Sequence, residues 1–211
     1  MKVFAIAAWA ILGATLSVPA AAAEADVRKT WDAGRCIATR DRAGAAALMR
    51  ALPLEPGAAD LTSLSPAIAQ RCARGLNRVD TLQLRGAIAQ TLYWRDFGGM
   101  GVEPRRSAAL INLRLPTQAD PAGDPAFERY RWSDCVVRNN GERVDLLLAT
   151  APGSRNETRI LADMHNYLAA CAPPEARISI SHTDLRSLIA QSAYQAMYRY
   201  WTRTLTSTER R

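Results

Sequence analysis

The chain has 211 residues, with 27 lysines and arginines against 20 aspartates and glutamates, two histidines and four cysteines. A chain of that size holds one domain or two small ones. Its basic residues are interleaved with acids along the whole length, which is not the pattern of a nucleic-acid-binding arm, and two histidines without a Cys-x-x-Cys leave no zinc set.

The first segment reads as a targeting signal. Lys2 supplies a positive start, Val3 to Val18 is an almost unbroken apolar run, and Pro19 is followed by Ala21 and Ala23 in the small-x-small arrangement of a cleavage site. The run is short for a membrane span, and no cysteine stands at the cleavage point to carry a lipid. A mature chain from about Glu24 is expected, periplasmic or secreted and with no membrane span. Export permits disulfides, and an even cysteine count suits a disulfide framework.

Asp26 to about Arg40 is predicted as a first helix carrying Trp31 and Cys36, and Ala43 to Leu52 as a second, ended by Pro53. Leu61, Leu64, Ile68 and Cys72 mark a third helix, started by Ser65-Pro66 because proline is tolerated only in a first turn. Leu84 to Tyr93, Leu-Arg-Gly-Ala-Ile-Ala-Gln-Thr-Leu-Tyr, forms a fourth, with Leu84, Ile88 and Leu92 on one face and Arg85, Ala89 and Tyr93 on the next. From Gly98 to Asp124 glycines and prolines punctuate a linker, with one short helix expected around Ser107 to Leu113.

The second half repeats this order. Pro125 to Asn139 is the counterpart of the first helix, with Phe127, Trp132, Cys135 and Val136 on one stripe, and Glu142 to Ala151 the counterpart of the second, ended by Pro152. Ser154 with Glu157 reads as a capping box that opens a third helix, whose face holds Ile160, Met164, Tyr167, Leu168 and Cys171. Arg177 to Ser181 alternates and is a candidate extended segment, with Leu76 to Asp80 as its partner. Leu185 to Tyr194, Leu-Arg-Ser-Leu-Ile-Ala-Gln-Ser-Ala-Tyr, then returns as the last helix, running on through Met197, Tyr198 and Trp201 to a tail expected to fray from about Thr204.

The offset from Cys36 to Cys135 is 99 residues, and the same offset relates Leu48 to Leu147, Pro53 to Pro152 and Cys72 to Cys171. That register selects one of the three possible pairings of four cysteines, Cys36–Cys72 and Cys135–Cys171. The expected fold is all-α: two tandem pseudo-symmetric units of about four helices each, residues 24–97 and 125–203, each with one internal disulfide. Residues 1–23 are then the signal, 98–124 the linker and 204–211 the tail. So much of each repeated stretch agrees that it is expected to be covered on several sides.

No catalytic, metal or cofactor signature accompanies the repeat. Ser181, His182 and Asp184 are neighbours in sequence, whereas a hydrolytic triad converges in space, and His182 is expected to begin the last helix. His165 reads as part of a solvated face. Gly98-Gly99-Met100-Gly101 lacks the lysine and flanking elements of a phosphate loop. The candidate binding set is the repeated one: Arg85, Gln90 and Tyr93 with Arg186, Gln191 and Tyr194. Either these two clusters line a groove between the halves, where guanidinium groups hold a carboxylate or phosphate, or each arginine is buried and satisfied by carbonyls or an acidic partner, with the tyrosine as amphipathic packing. The second is the expected state.

Cys171, Pro173 and Pro174, followed by Ile178 and a leucine-rich helix to Tyr194, resemble small exported helical immunity proteins, which implies binding to a secreted protein. The expected function is a non-catalytic exported binding or structural module whose partner is another envelope or secreted protein or an anionic envelope component. An enzyme with an arginine-lined groove is the rival. The binding reading expects an exposed apolar patch from Trp94, Phe97, Tyr198 and Trp201.

Overall fold

The computed structural model describes residues 20–50, 61–76, 80–98, 125–172 and 180–208, excepting the side chains of 20–24, 125–127 and 203–208. The described residues form nine helices: α1 (Ala20–Arg40), α2 (Arg42–Arg50), α3 (Pro66–Cys72), α4 (Thr81–Phe97), α5 (Pro125–Asn139), α6 (Gly141–Ala149), α7 (Arg155–Asp163), α8 (His165–Cys171) and α9 (His182–Thr208). No strand occurs among the described residues. Residues 1–19 of the expected signal, the expected linker with its helix at 107–113, and most of the two candidate extended segments lie outside them, as does the Phe127 side chain of the expected stripe.

Local signals set most helix ends. Pro66 occupies the first turn of α3, where its missing N–H would have had no partner. Asp80 caps α4 by accepting from the Gln83 amide at 3.1 Å, and Ser181 Oγ caps α9 by accepting from the Asp184 amide at 3.1 Å. His182 is thus the first residue of α9, and the Ser-His-Asp neighbours form a helix start. Ser154 Oγ accepts from the Glu157 amide at 3.2 Å, and the Glu157 carboxylate turns back to the Gly153 N–H.

The expected third helix of the second half breaks in two. After α7, Met164 is the hinge residue, and the Tyr167 and Leu168 amides both bond its carbonyl. The break turns Tyr167 out of the stripe, while Leu168 and Cys171 still pack against the core. Met164 and Ile160 stay buried while Tyr167 is 44% exposed, so Tyr167 does not join the expected apolar face. At the other end, α9 runs to Thr208.

The four long helices lie side by side in the order α1, α4, α9, α5. The two in the middle carry the repeated stretches. Contacts between them run in step from Gln83–Asp184 through Gly86–Ser187 to Phe97–Tyr194, so α4 and α9 point the same way. A Cβ on Gly86 would lie 2.5 Å from the Ser187 Cα, so only glycine admits this approach. Every residue of Leu84–Ala89 and of Leu185–Met197 is buried, as expected for helices covered on several sides. One apolar cluster runs through both halves, joining Ile37, Leu48, Leu84 and Ile88 to Val136, Leu147, Leu185 and Ile189. Each fully buried aliphatic side chain of this kind contributes roughly 1.5–3 kcal/mol.

The disulfides are Cys36–Cys72 and Cys135–Cys171, with Cα separations of 5.6 and 5.7 Å. They tie α1 to the end of α3 and α5 to the end of α8. Neither short helix has a buried residue of its own.

Candidate functional site

Packing of α4 against α9 turns both repeated arginines inward. Arg85 and Arg186 are 3% and 0% exposed, so neither faces an open groove. Arg85 Nε donates to Gln191 Oε1 at 3.1 Å, and its Nη2 reaches the Leu48 carbonyl at 3.4 Å. Arg186 does the reverse across the same interface. Its Nε and Nη2 donate to Gln90 Oε1 at 3.1 and 2.9 Å, and its Nη1 donates to the Leu147 carbonyl at 3.0 Å.

Leu48 and Leu147 lie in the last turns of α2 and α6, where helix carbonyls lack intrahelical partners and the dipole favours a cation. Arg186 also holds the Thr150 hydroxyl at 3.0 Å and the Thr150 carbonyl at 2.7 Å, just past the end of α6. Its Nη1 is 3.5 Å from Glu157 Oε1, an oxygen with no hydrogen bond of its own, so that pair is held by charge. The Trp31 ring lies 4.9 Å from the guanidinium carbon and supplies a cation–π face. Burial lowers the pKa of Arg186, against the opposing pull of Glu157. Burial lowers that of Arg85 to about 10, which leaves it charged at neutral pH.

The remaining members of the set differ between the halves. Gln90 Nε2 donates to the Leu148 carbonyl at 2.9 Å, whereas Gln191 Nε2 turns to Ser187 O of its own helix at 3.2 Å. The Tyr93 hydroxyl bonds Asp145 of α6. Tyr194 stacks on Tyr198 with ring centroids 6.2 Å apart, and burial, then the Asp96 charge, pushes its pKa up to about 12. The arrangement joins the ends of α2 and α6 to the central helix pair, and its buried donors face acceptors of the chain itself.

The expected apolar patch is dispersed. Phe97 is in the core, and Trp94 is half-buried with its indole N–H on the Leu148 carbonyl at 3.1 Å. Tyr198 is half-buried, and only Trp201 is well exposed. His165 is exposed at the start of α8. Among the described residues no three His, Cys, Asp or Glu side chains gather as metal ligands. None of the described helices is long and apolar enough to cross a membrane.

One buried polar cluster escaped the sequence reading. Between α5 and α9, Tyr130, Ser133, Asp134, Ser192 and Gln195 are all buried. Ser133 and Ser192 hydroxyls are 2.7 Å apart, the Tyr130 hydroxyl bonds Gln195, and Gln195 Nε2 reaches the Met49 carbonyl at 3.1 Å. Asp134 pairs with Arg138 through Oδ2, and its Oδ1 has no hydrogen bond. The only sequence signal was the Asp134/Arg138 spacing, which on its own describes a solvated helix pair.

Burial raises the Asp134 pKa, with Arg138 and then Arg199 pulling the other way. The folded pKa therefore lies above the unfolded one, so this carboxyl subtracts stability progressively as pH rises from the ordinary carboxylate range through the folded pKa. Relative to the parent, Asp134→Asn is expected to gain melting temperature between acidic and neutral pH. Paired thermal melts across that range check it, and a relative loss toward neutral pH would show that the Arg138 pairing outweighs burial.

No family model, curated protein or solved structure matches the chain.

Proposed function

We propose that the chain is an exported, non-catalytic binding module built from two related helical units fused at α4 and α9. The observation that carries this reading is the reciprocity of the arginine contacts. Arg85 takes Gln191 and Leu48 O while Arg186 takes Gln90 and Leu147 O. The helix positions are offset by 101 residues and the leucines by 99. Trp94 on Leu148 O and Gln195 on Met49 O are a second crossed pair in the same register. Such exchange, residue i with j′ and j with i′, is the contact pattern of an isologous dimer interface.

In this reading the repeated polar set joins the units, and the outer helices are left for a partner. That partner is an envelope or secreted protein, or an anionic envelope component. Two disulfides are compatible with an extracellular or periplasmic location. The rival enzyme reading needs Arg85 and Arg186 in a shared concavity, and their burial counts against it. An immunity-type inhibitor is the same module with a secreted protein as its target.

Leu146, Tyr167 and Trp201, on α6, α8 and α9, are exposed large apolar side chains, and tyrosine and tryptophan are of the kind that anchor partners. A photo-crosslinking amino acid at each, in the protein expressed and exported by its own host, is expected to give a discrete adduct at one position or more. The exposed Ala43 serves as the comparison site. Adducts at none of the three positions, or equally at Ala43, would sink the reading.

A further inference from the structure

A second feature of the α1–α4 face points outward. Arg35 and Thr39 of α1, with Gln90, Thr91, Trp94 and Arg95 of α4, line an open depression of about 570 Å³. That lies within the roughly 300–1,000 Å³ of small-molecule pockets. Its floor is held from the other half of the chain: Gln90 Nε2 and Trp94 Nε1 both donate to the Leu148 carbonyl, at 2.9 and 3.1 Å. The indole is therefore fixed in orientation while remaining half-exposed. Fixing the platform before binding lowers the ordering cost of a ligand.

The rim supplies cations and hydroxyl acceptors. Arg95 is exposed, forms no ion pair among the described residues, and makes one long bond, 3.5 Å, to the Ala38 carbonyl. Arg35 is paired with Asp32 at 2.6 Å, but both side chains are about two-thirds exposed or more, so the pair is worth little and an anion can replace the aspartate. The hydroxyls of Thr39 and Thr91 donate to Arg35 O and Ala87 O at 2.8 Å, which leaves their oxygens as acceptors.

We propose that this depression binds an acidic saccharide, its ring on the Trp94 indole and its carboxylate or phosphate between Arg35 and Arg95. A carboxylate or phosphate matches the guanidinium fork. Sugar C–H groups suit the electron-rich face of an indole, and sugar hydroxyls suit acceptors such as Thr39 and Thr91. A flat aromatic acid would use the ring and the arginines but leave the threonines idle. The proposal rests on the anionic-component form of the binding-module reading and names its ligand class and place.

The test titrates the full exported chain with trigalacturonate, maltotriose and inorganic phosphate, followed by the Trp94 indole and Thr39 and Thr91 amide resonances. Trigalacturonate is expected to shift all three saturably, with affinity falling at high salt. Arg95→Ala should weaken it at least tenfold, and Arg35→Ala combined with Arg95→Ala should abolish it with melting unchanged, since both side chains are exposed. Maltotriose shifting the same resonances as strongly would refute the role of charge. Phosphate matching trigalacturonate would refute the saccharide platform, and no saturable shift by any probe would remove the site. In that last case, photo-adducts from the outer helices would still leave the module reading standing.

Discussion

Arg186→Ala is expected to lower the melting temperature by on the order of 10 °C. The guanidinium is fully buried, and its removal strands the Thr150 carbonyl, Gln90 Oε1 and the charge at Glu157 Oε1 at once. Breaking a buried, paired charge in this way costs about 3–5 kcal/mol. A chain of this size loses roughly 2–4 °C per kcal/mol. Lysine should rescue poorly, since an ammonium cannot span Gln90 on one side and the α6 carbonyls on the other. Part of the loss is the isolated Glu157 charge, so Glu157→Gln in the Arg186→Ala background should recover some of it. Arg85→Ala should act in the same direction. Thermal melts of these variants decide the matter: if Arg186→Ala melts within about 2 °C of the parent, the arginine is not structural, and a ligand role for the repeated set becomes the better reading.

The disulfides are expected to matter nearly as much. Each joins cysteines 36 positions apart. Closing a loop of that length stabilises by about 3–4 kcal/mol through the unfolded chain. The paired variants Cys36→Ser/Cys72→Ser and Cys135→Ser/Cys171→Ser should each melt lower by that amount, with the released short helix losing protection first. The second pair has some local backup, because Trp132 Nε1 donates to the Leu168 carbonyl at 2.8 Å and still holds α8 to α5. Hydrogen exchange is therefore expected to show residues 66–72 opening more freely without the first bridge than 165–171 without the second. Equal melting with and without reductant would overturn this account of the bridges.

Much of the framework was readable in residue spacing. Helix starts are local events: a carboxylate or hydroxyl reaches an amide three residues on, so Ser154 with Glu157 announced α7, and the Asp80 and Ser181 caps found in the structure follow the same chemistry. The cysteine pairing followed from one offset repeated at leucines and prolines, because a shared register carries one pairing onto the other. The face of α4 bearing Leu84, Ile88 and Leu92 followed from helical period alone. The hinge at Met164 did not, since an apolar stripe continues in sequence whether or not the backbone turns under it.

Only the tertiary structure decided what the repeated polar residues do. The acceptors of Arg85 and Arg186 lie between 36 and 106 positions away along the chain. Whether a guanidinium meets a ligand or a carbonyl depends on which helix end packs against it. The same holds for Asp134, which has the spacing of a surface ion pair and the burial of a core residue, because α9 covers it. Local pattern sets which way a side chain points from its own helix; burial and partners are properties of the neighbouring helices, and packing between distant segments determines those.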